Sequence, residues 1–137
     1  MKILVDTCIW SQVLGHKQPN QELKANLKDL IHDGRVCIIG PIRQELLSGI
    51  TSIKQFNALK KGLSAFEDIP LRTEHFEKAA EFNNMCRRKG VQGKTRDFLI
   101  CAVAYVNKLV IYTTDKDFDS YKIFTDYVDE RIKKCLK

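Results

Sequence analysis

Residues 2–6 of the chain read KILVD, a short apolar run that ends on an aspartate. The residues ILV of this run do not alternate with polar ones, and neither do the residues VCII at 36–39. Strands of a parallel sheet have this pattern because helices cover both of their faces. We therefore predict that 2–6 is a buried strand of a parallel sheet, with Asp6 at its carboxyl end.

Strand-like and helix-like patterns alternate along the rest of the chain. The predicted strands are 2–6, 35–40, 67–71, 109–113 and 121–124, and the predicted helices are 8–15, 20–33, 41–49, 52–66, 73–89 and 95–107. This alternation predicts an α/β fold in which helices cover a parallel sheet on both sides. Right-handed crossovers then place the carboxyl ends of the strands along one edge, where α/β proteins bind their ligands.

The composition is that of one globular domain. Of 137 residues, 44% are hydrophobic and 29% are charged, so we treat 1–137 as a single domain with a basic tail at about 130–137. No apolar run reaches the ~18 residues of a membrane span, and no signal-peptide core is present, which predicts a cytoplasmic protein with no membrane partner. The five cysteines lack CxxC spacing and the three histidines are scattered, which argues against disulfides and zinc and predicts that the cysteines are buried or incidental free thiols.

The net charge of +6 favours a phosphate-bearing partner. The positive charge is concentrated in the tail RIKKCLK and in the stretch RRKGVQGKTR before the last predicted helix. The basic residues of that stretch are Arg87, Arg88, Lys89, Lys94 and Arg96. This basic loop is therefore a candidate phosphate-binding surface.

Four acidic residues fall at the ligand-binding edge of the predicted sheet. Asp6 ends the first strand, and Glu45 lies in the helix that follows the second strand. Asp97 lies in the first turn of the last predicted helix, and Asp115 follows the fourth strand. Each residue alone has an ordinary explanation as a helix cap, a partner of the helix dipole, a solvated residue or a turn residue.

Gathered at one edge, these carboxylates would repel one another. Two unit charges ~4 Å apart cost ~4 kcal/mol at an effective dielectric of about 20, so the arrangement predicts a bound cation. Carboxylate oxygens without histidine or thiolate favour Mg²⁺ or Mn²⁺. Beside a basic loop, one or two such ions are suited to the hydrolysis of phosphodiester bonds.

Four segments of the chain resemble the motif blocks of PIN domains, and most closely those of the VapC-type ribonuclease toxins of toxin–antitoxin pairs. These segments are LVDTCIW (4–10), PIRQELLSG (41–49), TRDFLICAVA (95–104) and YTTDKDF (112–118). Each motif is weak alone, but the four occur in the family's order and spacing over nearly the whole chain. The resemblance implies a three-layer α/β/α sandwich whose parallel sheet has about five strands in the order 3-2-1-4-5.

The resemblance also implies a Mg²⁺- or Mn²⁺-dependent endoribonuclease. Its acidic quartet would be formed by the four residues described above, Asp6, Glu45, Asp97 and Asp115. Asp6, Asp97 and Asp115 would bind the metal, and Glu45 would bind metal or position water. Asp117 matches a second acid of the last motif, and Thr7 matches the hydroxyl position after the first aspartate. Thr7 would orient a carboxylate, and Thr114 is a second candidate for this role.

The family further implies three partners: an RNA substrate, a second copy of the chain in a homodimer, and a small antitoxin. The basic loop would then steer RNA phosphates toward Asp97. Two alternatives remain at this stage. One is a non-catalytic PIN-like domain that binds RNA or a protein partner. The other is a phospho-acceptor domain, whose acceptor aspartate would stand where this chain has Gly40 and Pro41.

Overall fold

The structure is a computed structural model, and it describes residues 2–14 and 20–123, without the side chains of residues 122 and 123. The elements in chain order are β1 (Ile3–Val5), α1 (Thr7–Leu14), α2 (Gln21–His32), β2 (Val36–Cys37), α3 (Gly40–Leu47), α4 (Ile53–Leu63), α5 (Thr73–Arg88), α6 (Thr95–Asn107), β3 (Val110–Tyr112) and a 3-10 helix (Lys116–Ile123). All six predicted helices are present, and α4 ends three residues earlier than the sequence pattern predicts.

The sheet is parallel and β1 is its central strand, with β2 on one side and β3 on the other. Ile3 lies opposite Val36 and Val110, which sets the register of both strand pairs. An isolated parallel bridge between Ile38 and Asp68 continues the sheet beyond β2. The observed order therefore matches the first four positions of the predicted order, and the predicted α/β fold is confirmed.

Two predicted strands are not strands in the structure. The segment 67–71 contributes only the bridge at Asp68, because Pro70 has no amide proton for a longer ladder. The predicted strand 121–124 was wrong over 121–123, which belong to the 3-10 helix. In that helix Phe118 and Tyr121 pack together with ring centroids 5.3 Å apart, a spacing of three residues that suits a 3-10 turn.

Some predictions fall on residues outside the described ranges. These are the end of the first helix at Gly15, the last residue of the predicted fifth strand at Phe124, and the basic tail at about 130–137 with its cysteine, Cys135.

The core is built around β1 and α6. The side chains of Leu4 and Val5 have no exposed surface. In α6 every residue from Ile100 to Ala104 is fully buried, as its almost uniformly apolar sequence predicts. The helix ends at Asn107, and the left-handed φ of 55° at the following residue, Lys108, lets the chain turn into β3. This packing fixes the first turn of α6, with Asp97, beside the carboxyl end of β1.

Arg43 anchors α3, the helix that carries Glu45. Its guanidinium forms an ion pair with Asp68 at 2.9 Å and donates hydrogen bonds to the carbonyl oxygens of Leu63 and Phe66. These contacts tie α3 to the end of α4 and to the segment that bridges to the sheet edge. Across residues 2–14 and 20–123, no helix combines the length and apolar character needed to cross a membrane.

Candidate active site

Asp6 lies at the carboxyl end of β1 with its side chain fully buried and both carboxylate oxygens held. Oδ1 accepts a hydrogen bond from the amide of Thr7 at 2.7 Å. Oδ2 accepts one from the hydroxyl of Thr113 at 2.9 Å, on the segment that follows β3. The amide of Asp6 donates to the carbonyl oxygen of Tyr112 at 2.9 Å. Adjacent parallel strands therefore set the position of this carboxylate.

Asp97 is also fully buried, in the first turn of α6. Its Oδ2 accepts a hydrogen bond from the Tyr121 hydroxyl at 3.0 Å, and its Oδ1 accepts one from Arg96 Nη2 at 3.2 Å. Burial raises the pKa of Asp97, and the carboxylates of Asp115 and Asp6 add to this effect, whereas Tyr121 and Arg96 oppose it. The net effect is a raised pKa, because desolvation is the largest contribution.

The guanidinium of Arg96 joins three of the four predicted acids. Besides its bond to Asp97, Nη1 donates to Asp6 Oδ1 at 3.1 Å and to Glu45 Oε2 at 3.0 Å. Nη1 also donates to the hydroxyl of Thr7 at 3.2 Å. Burial lowers the pKa of Arg96, but the surrounding carboxylates of Asp6, Glu45 and Asp97 more than offset it, so the pKa is raised. Arg96 is therefore a permanent cation inside the acidic cluster.

Asp115 and Asp117 complete the cluster from the segment after β3. One carboxylate oxygen from each of Asp97, Asp115 and Asp117 lies within 4.8 Å of the others. Asp115 Oδ1 accepts a hydrogen bond from the amide of Asp117 at 2.9 Å, and the amide of Asp115 donates to Thr113 at 3.0 Å. Asp97 thus belongs to two overlapping groups, one linked by Arg96 and one formed with Asp115 and Asp117.

The structure brings all four acids of the predicted quartet to one edge of the sheet, together with Asp117. The hydroxyl of Thr7 donates to Glu45 Oε2 at 3.3 Å. The hydroxyl of Thr114 lies 3.4 Å from the sulfur of Cys8 and accepts a hydrogen bond from Gln12, so Thr113 orients a carboxylate where the sequence pattern suggested Thr114. The reason is the alternation of side chains along an extended segment, which turns neighbouring threonines to opposite sides.

The basic loop is divided by the fold. Arg87, Arg88 and Lys89 are exposed at the end of α5. Lys94 Nζ lies 3.9 Å from Asp117 Oδ2, with both side chains more than half exposed. Arg96 points into the acidic cluster instead of outward. Of the exposed cations, Lys94 therefore lies beside the acidic cluster, whereas Arg96 is already bound to its carboxylates.

Sequence reasoning missed Tyr121, which holds Asp97 by a hydrogen bond, and Gly93, which leaves room for the Tyr121 hydroxyl. Tyr121 lay in a predicted strand, and nothing in the sequence pattern paired it with a residue 24 positions earlier. Gly93 packs against Tyr121 and Phe98, because a Cβ atom built there would lie 2.8 Å from the Tyr121 hydroxyl and 2.4 Å from Phe98 Cζ. A residue with a side chain would displace one of these rings.

Cys8 also belongs to the site, although the cysteines were predicted to be buried or incidental. Its thiol lies 3.6 Å from Asp6 Oδ2 and 3.3 Å from the Thr113 hydroxyl. Cys37, Cys86 and Cys101 are buried, and burial raises the pKa of all three thiols, most strongly that of Cys101. These three buried thiols match the prediction. Cys8 differs from them because its thiol contacts Asp6 and Thr113 in the acidic cluster.

The donor set fits a hard divalent cation. Every acidic ligand candidate offers carboxylate oxygen, and the three oxygens of Asp97, Asp115 and Asp117 are close enough to share one ion. Carboxylates without histidine or thiolate are typical of Mg²⁺ and Mn²⁺ sites. The Glu45 side chain is 43% exposed, so solvent reaches the cluster at this carboxylate.

A parallel α/β sheet with an acidic cluster at its carboxyl edge defines the class of this protein. The PIN domain family model matches residues 3–123, and the chain belongs to the PIN domain family. A sequence comparison with curated proteins gave no match.

Several solved structures share the fold. FitAcB from Neisseria gonorrhoeae superposes with a TM-score of 0.75 at 24% identity, covering 88% of this chain and 93% of that one. VapBC2 from Rickettsia felis, bound to a DNA fragment from its promoter, gives 0.71 at 20% identity over 87% and 91% of the two chains. A toxin–antitoxin complex from Klebsiella pneumoniae gives 0.68 at 21% identity over 85% and 90%.

Proposed function

We propose that this protein is a Mg²⁺- or Mn²⁺-dependent endoribonuclease and the toxin of a toxin–antitoxin pair. The observation that carries the proposal is the convergence of Asp6, Glu45, Asp97 and Asp115 at one edge of the sheet, with two of these carboxylates fully buried. Membership of the PIN domain family supports it, because PIN domains are generally nucleases.

In this proposal Asp6, Asp97 and Asp115 bind the metal, and Glu45 and Asp117 act directly or through water. When bound, the metal supplies Lewis-acid activation of water and stabilisation of the leaving oxygen. Thr113 and Tyr121 hold the two buried carboxylates in place through their hydroxyl groups. Fixed ligands of this kind reduce the reorganisation that the reaction would otherwise require.

Glu45 differs from the other acids because it is partly exposed and its carboxylate is held by the Thr7 hydroxyl and by Arg96. We assign it the positioning of the attacking water and acceptance of its proton. The exposed cations Arg87, Arg88, Lys89 and Lys94 would bind the RNA backbone through its phosphates. Such contacts attract any RNA, so these four basic residues predict binding to RNA without sequence preference.

The proposed partners rest on the relatives that share the fold. One of them was solved as a toxin–antitoxin complex and another as VapBC2 bound to promoter DNA. We propose a small cognate antitoxin for this chain, and a homodimer as its own assembly. An antitoxin that brings a basic side chain to the acidic cluster would be electrostatically favoured. A cytoplasmic location follows from the same proposal, since its substrate is cellular RNA.

The proposal is tested by incubating the purified chain with total RNA in Mg²⁺, in Mn²⁺ and in excess EDTA. We expect cleavage with either metal and none with EDTA, and we expect Asp6→Asn and Asp97→Asn to abolish it without unfolding the protein. Mapping of the cleavage sites then identifies the RNA. Full activity of Asp97→Asn would overturn the quartet assignment, and undiminished cleavage in EDTA would overturn the metal requirement.

A second candidate is a non-catalytic PIN-like domain that binds RNA or a protein partner. The position of Arg96 favours it, because an internal cation offsets the repulsion between the acids without any metal. The same incubation separates the two functions. A catalytic domain turns over RNA with metal, whereas a binding domain retains RNA or its partner and leaves the RNA intact.

A further inference from the structure

Asp6 and Asp97 are held in the same way. In each carboxylate Oδ2 accepts a hydrogen bond from a hydroxyl group, that of Thr113 for Asp6 and that of Tyr121 for Asp97. In each, Oδ1 accepts a hydrogen bond from Arg96, through Nη1 for Asp6 and Nη2 for Asp97. One guanidinium therefore spans the Oδ1 atoms of the two buried acids.

We propose that Arg96 and a divalent cation compete for Asp6 Oδ1 and Asp97 Oδ1, so that metal binding requires release of the arginine. This inference rests on the proposed metal site. It assigns Arg96 a role that differs from the phosphate binding suggested by its place in the basic loop. In the metal-free protein Arg96 is the counter-ion that holds the cluster together.

The hydroxyl contacts explain why the competition centres on the Oδ1 atoms. A cation that took the Oδ2 atoms instead would displace the hydroxyl groups of Thr113 and Tyr121 from their acceptors. Buried polar groups left without a partner are costly. Asp6 Oδ1 also accepts the shorter hydrogen bond from the backbone amide of Thr7, at 2.7 Å. A carboxylate oxygen has about two acceptor positions, so a metal ion that binds Asp6 Oδ1 while the amide stays in place takes the position that Arg96 holds.

The surroundings of Arg96 allow it to leave. Its side chain is 28% exposed, whereas the side chains of Asp6 and Asp97 are 1% and 0% exposed. Arg96 is the second residue of α6, so its side chain can swing outward without a change in the helix. It leaves as a cation, since a guanidinium does not lose its proton in a protein. Release toward solvent therefore restores its hydration.

Charge also favours the exchange once metal is present. Arg96 brings one positive charge to three carboxylates, whereas Mg²⁺ or Mn²⁺ brings two. A divalent ion and the guanidinium placed together on the same two oxygens would repel each other at close range. The two cations are consequently alternatives at this position, and the affinity of either one is reduced by the other.

The test measures Mn²⁺ binding to metal-free protein by titration calorimetry, with no RNA present. Arg96→Gln removes the competing charge and is expected to tighten Mn²⁺ binding about 5- to 150-fold. Lys54→Gln is the control, because it removes one positive charge from an exposed position in α4 that has no role in the site, and it should bind as wild type does. Arg96→Lys keeps the charge but loses the two-pronged contact, so it should bind Mn²⁺ with intermediate affinity.

Thermal unfolding in EDTA gives a second measurement. Arg96→Gln should unfold at a lower temperature than wild type when metal is absent, because its carboxylates repel without a counter-ion. Saturating Mn²⁺ should raise its midpoint by more than it raises that of wild type. If Arg96→Gln does not fold, the guanidinium nitrogens of Arg96 in wild type can be followed by ¹⁵N NMR during titration with Mg²⁺, and their restricted rotation should be lost.

The outcomes separate this inference from the proposed function. If wild type binds Mn²⁺ and Asp97→Asn does not, the metal site stands. Equal or weaker binding by Arg96→Gln then overturns the competition, as does an Arg96 signal that Mg²⁺ leaves unchanged. If wild type does not bind Mn²⁺ at all, the metal site falls and the competition falls with it.

Discussion

The Tyr121 hydroxyl donates a hydrogen bond to Asp97 Oδ2 at 3.0 Å, and both side chains are buried. This contact joins the 3-10 helix after β3 to the first turn of α6. Burial and the neighbouring charge of Asp97 raise the pKa of Tyr121 well above its usual value. The phenol therefore stays protonated and remains a donor throughout the physiological pH range.

Tyr121→Phe should weaken the metal site without removing any acid. The phenylalanine ring still packs against Phe98 and Phe118, but Asp97 Oδ2 loses its donor. Loss of such a supporting contact typically costs 10- to 100-fold in metal affinity or activity. We expect a reduction of about that size in Mn²⁺ affinity by titration and in RNA cleavage at limiting metal. Wild-type values for both would show that Tyr121 serves packing alone.

Gly93→Ala should disturb the same contact from outside the site. The added methyl group would collide with Phe98 and with the Tyr121 hydroxyl, and overpacking of this kind costs about 1–3 kcal/mol. We expect a lower free energy of unfolding together with weaker metal binding.

Gly62→Ala is the matched control for that substitution. Gly62 lies in α4, and a Cβ atom there meets nothing within 4 Å. Alanine should therefore stabilise the helix by about 0.5–1 kcal/mol. If denaturant unfolding gave the two alanine variants the same stability, the close packing around Gly93 would be contradicted.

Thr113→Val should impair the site, and Thr114→Val should not. Valine at 113 removes the donor to Asp6 Oδ2 and the acceptor for the amide of Asp115. A loss of about 1–3 kcal/mol in the free energy of unfolding is expected, because buried polar groups lose their partners. Thr114 is exposed and contacts Cys8 and Gln12, so its replacement should change stability by less than about 0.5 kcal/mol. Chemical unfolding and Mn²⁺ titration check both variants, and the reverse ranking would contradict the assignment of Thr113.

Asp97→Asn should stabilise the metal-free protein at neutral pH. Burial raises the pKa of Asp97 in the folded state, so the folded protein keeps this proton to a higher pH than the unfolded chain does. Below the pKa of an aspartate in the unfolded chain, near 3.9, Asp97 is protonated in both states and costs the folded protein nothing. As the pH rises through the raised pKa of the folded state, the buried carboxylate becomes charged and the free energy of unfolding falls. At neutral pH wild type thus carries a buried charge that asparagine lacks.

The measurement is thermal unfolding of both proteins in EDTA across a pH series. The midpoint of Asp97→Asn should exceed that of wild type at neutral pH, and the difference should shrink as the pH falls through the pKa of Asp97. Added Mg²⁺ should stabilise wild type and leave the variant unchanged. A variant that is less stable than wild type at neutral pH without metal would show that the carboxylate is net stabilising.

Much of the fold and the site was predictable, because the apolar pattern of the strands and the rules for connecting parallel strands lead to the same arrangement. The uninterrupted apolar runs before Asp6 and before Gly40 specify strands covered on both faces. Parallel connections then place the ends of those strands at one edge. Asp97 and Asp115 approach that edge because Asp97 lies in the first turn of α6 and Asp115 follows the end of β3.

The limits of prediction appear at Tyr121 and Thr113. The segment around Tyr121 has the apolar residues of a strand, but the packing of Phe118 and Tyr121 three residues apart selects a 3-10 helix. Thr113 and Thr114 are equivalent in the sequence, and only the direction of the extended backbone decides which of them reaches Asp6.

The sequence by itself determined which acids meet, because right-handed crossovers bring the carboxyl ends of parallel strands to one edge in any chain with this pattern of elements. Only the tertiary structure decided which side chains bind and position those acids. Arg96 is adjacent to Asp97 in the sequence and could equally face solvent or the cluster. It faces the cluster because Asp6 follows β1, Glu45 lies in α3 and Asp97 lies in α6, and their combined negative charge exists only after these elements have packed.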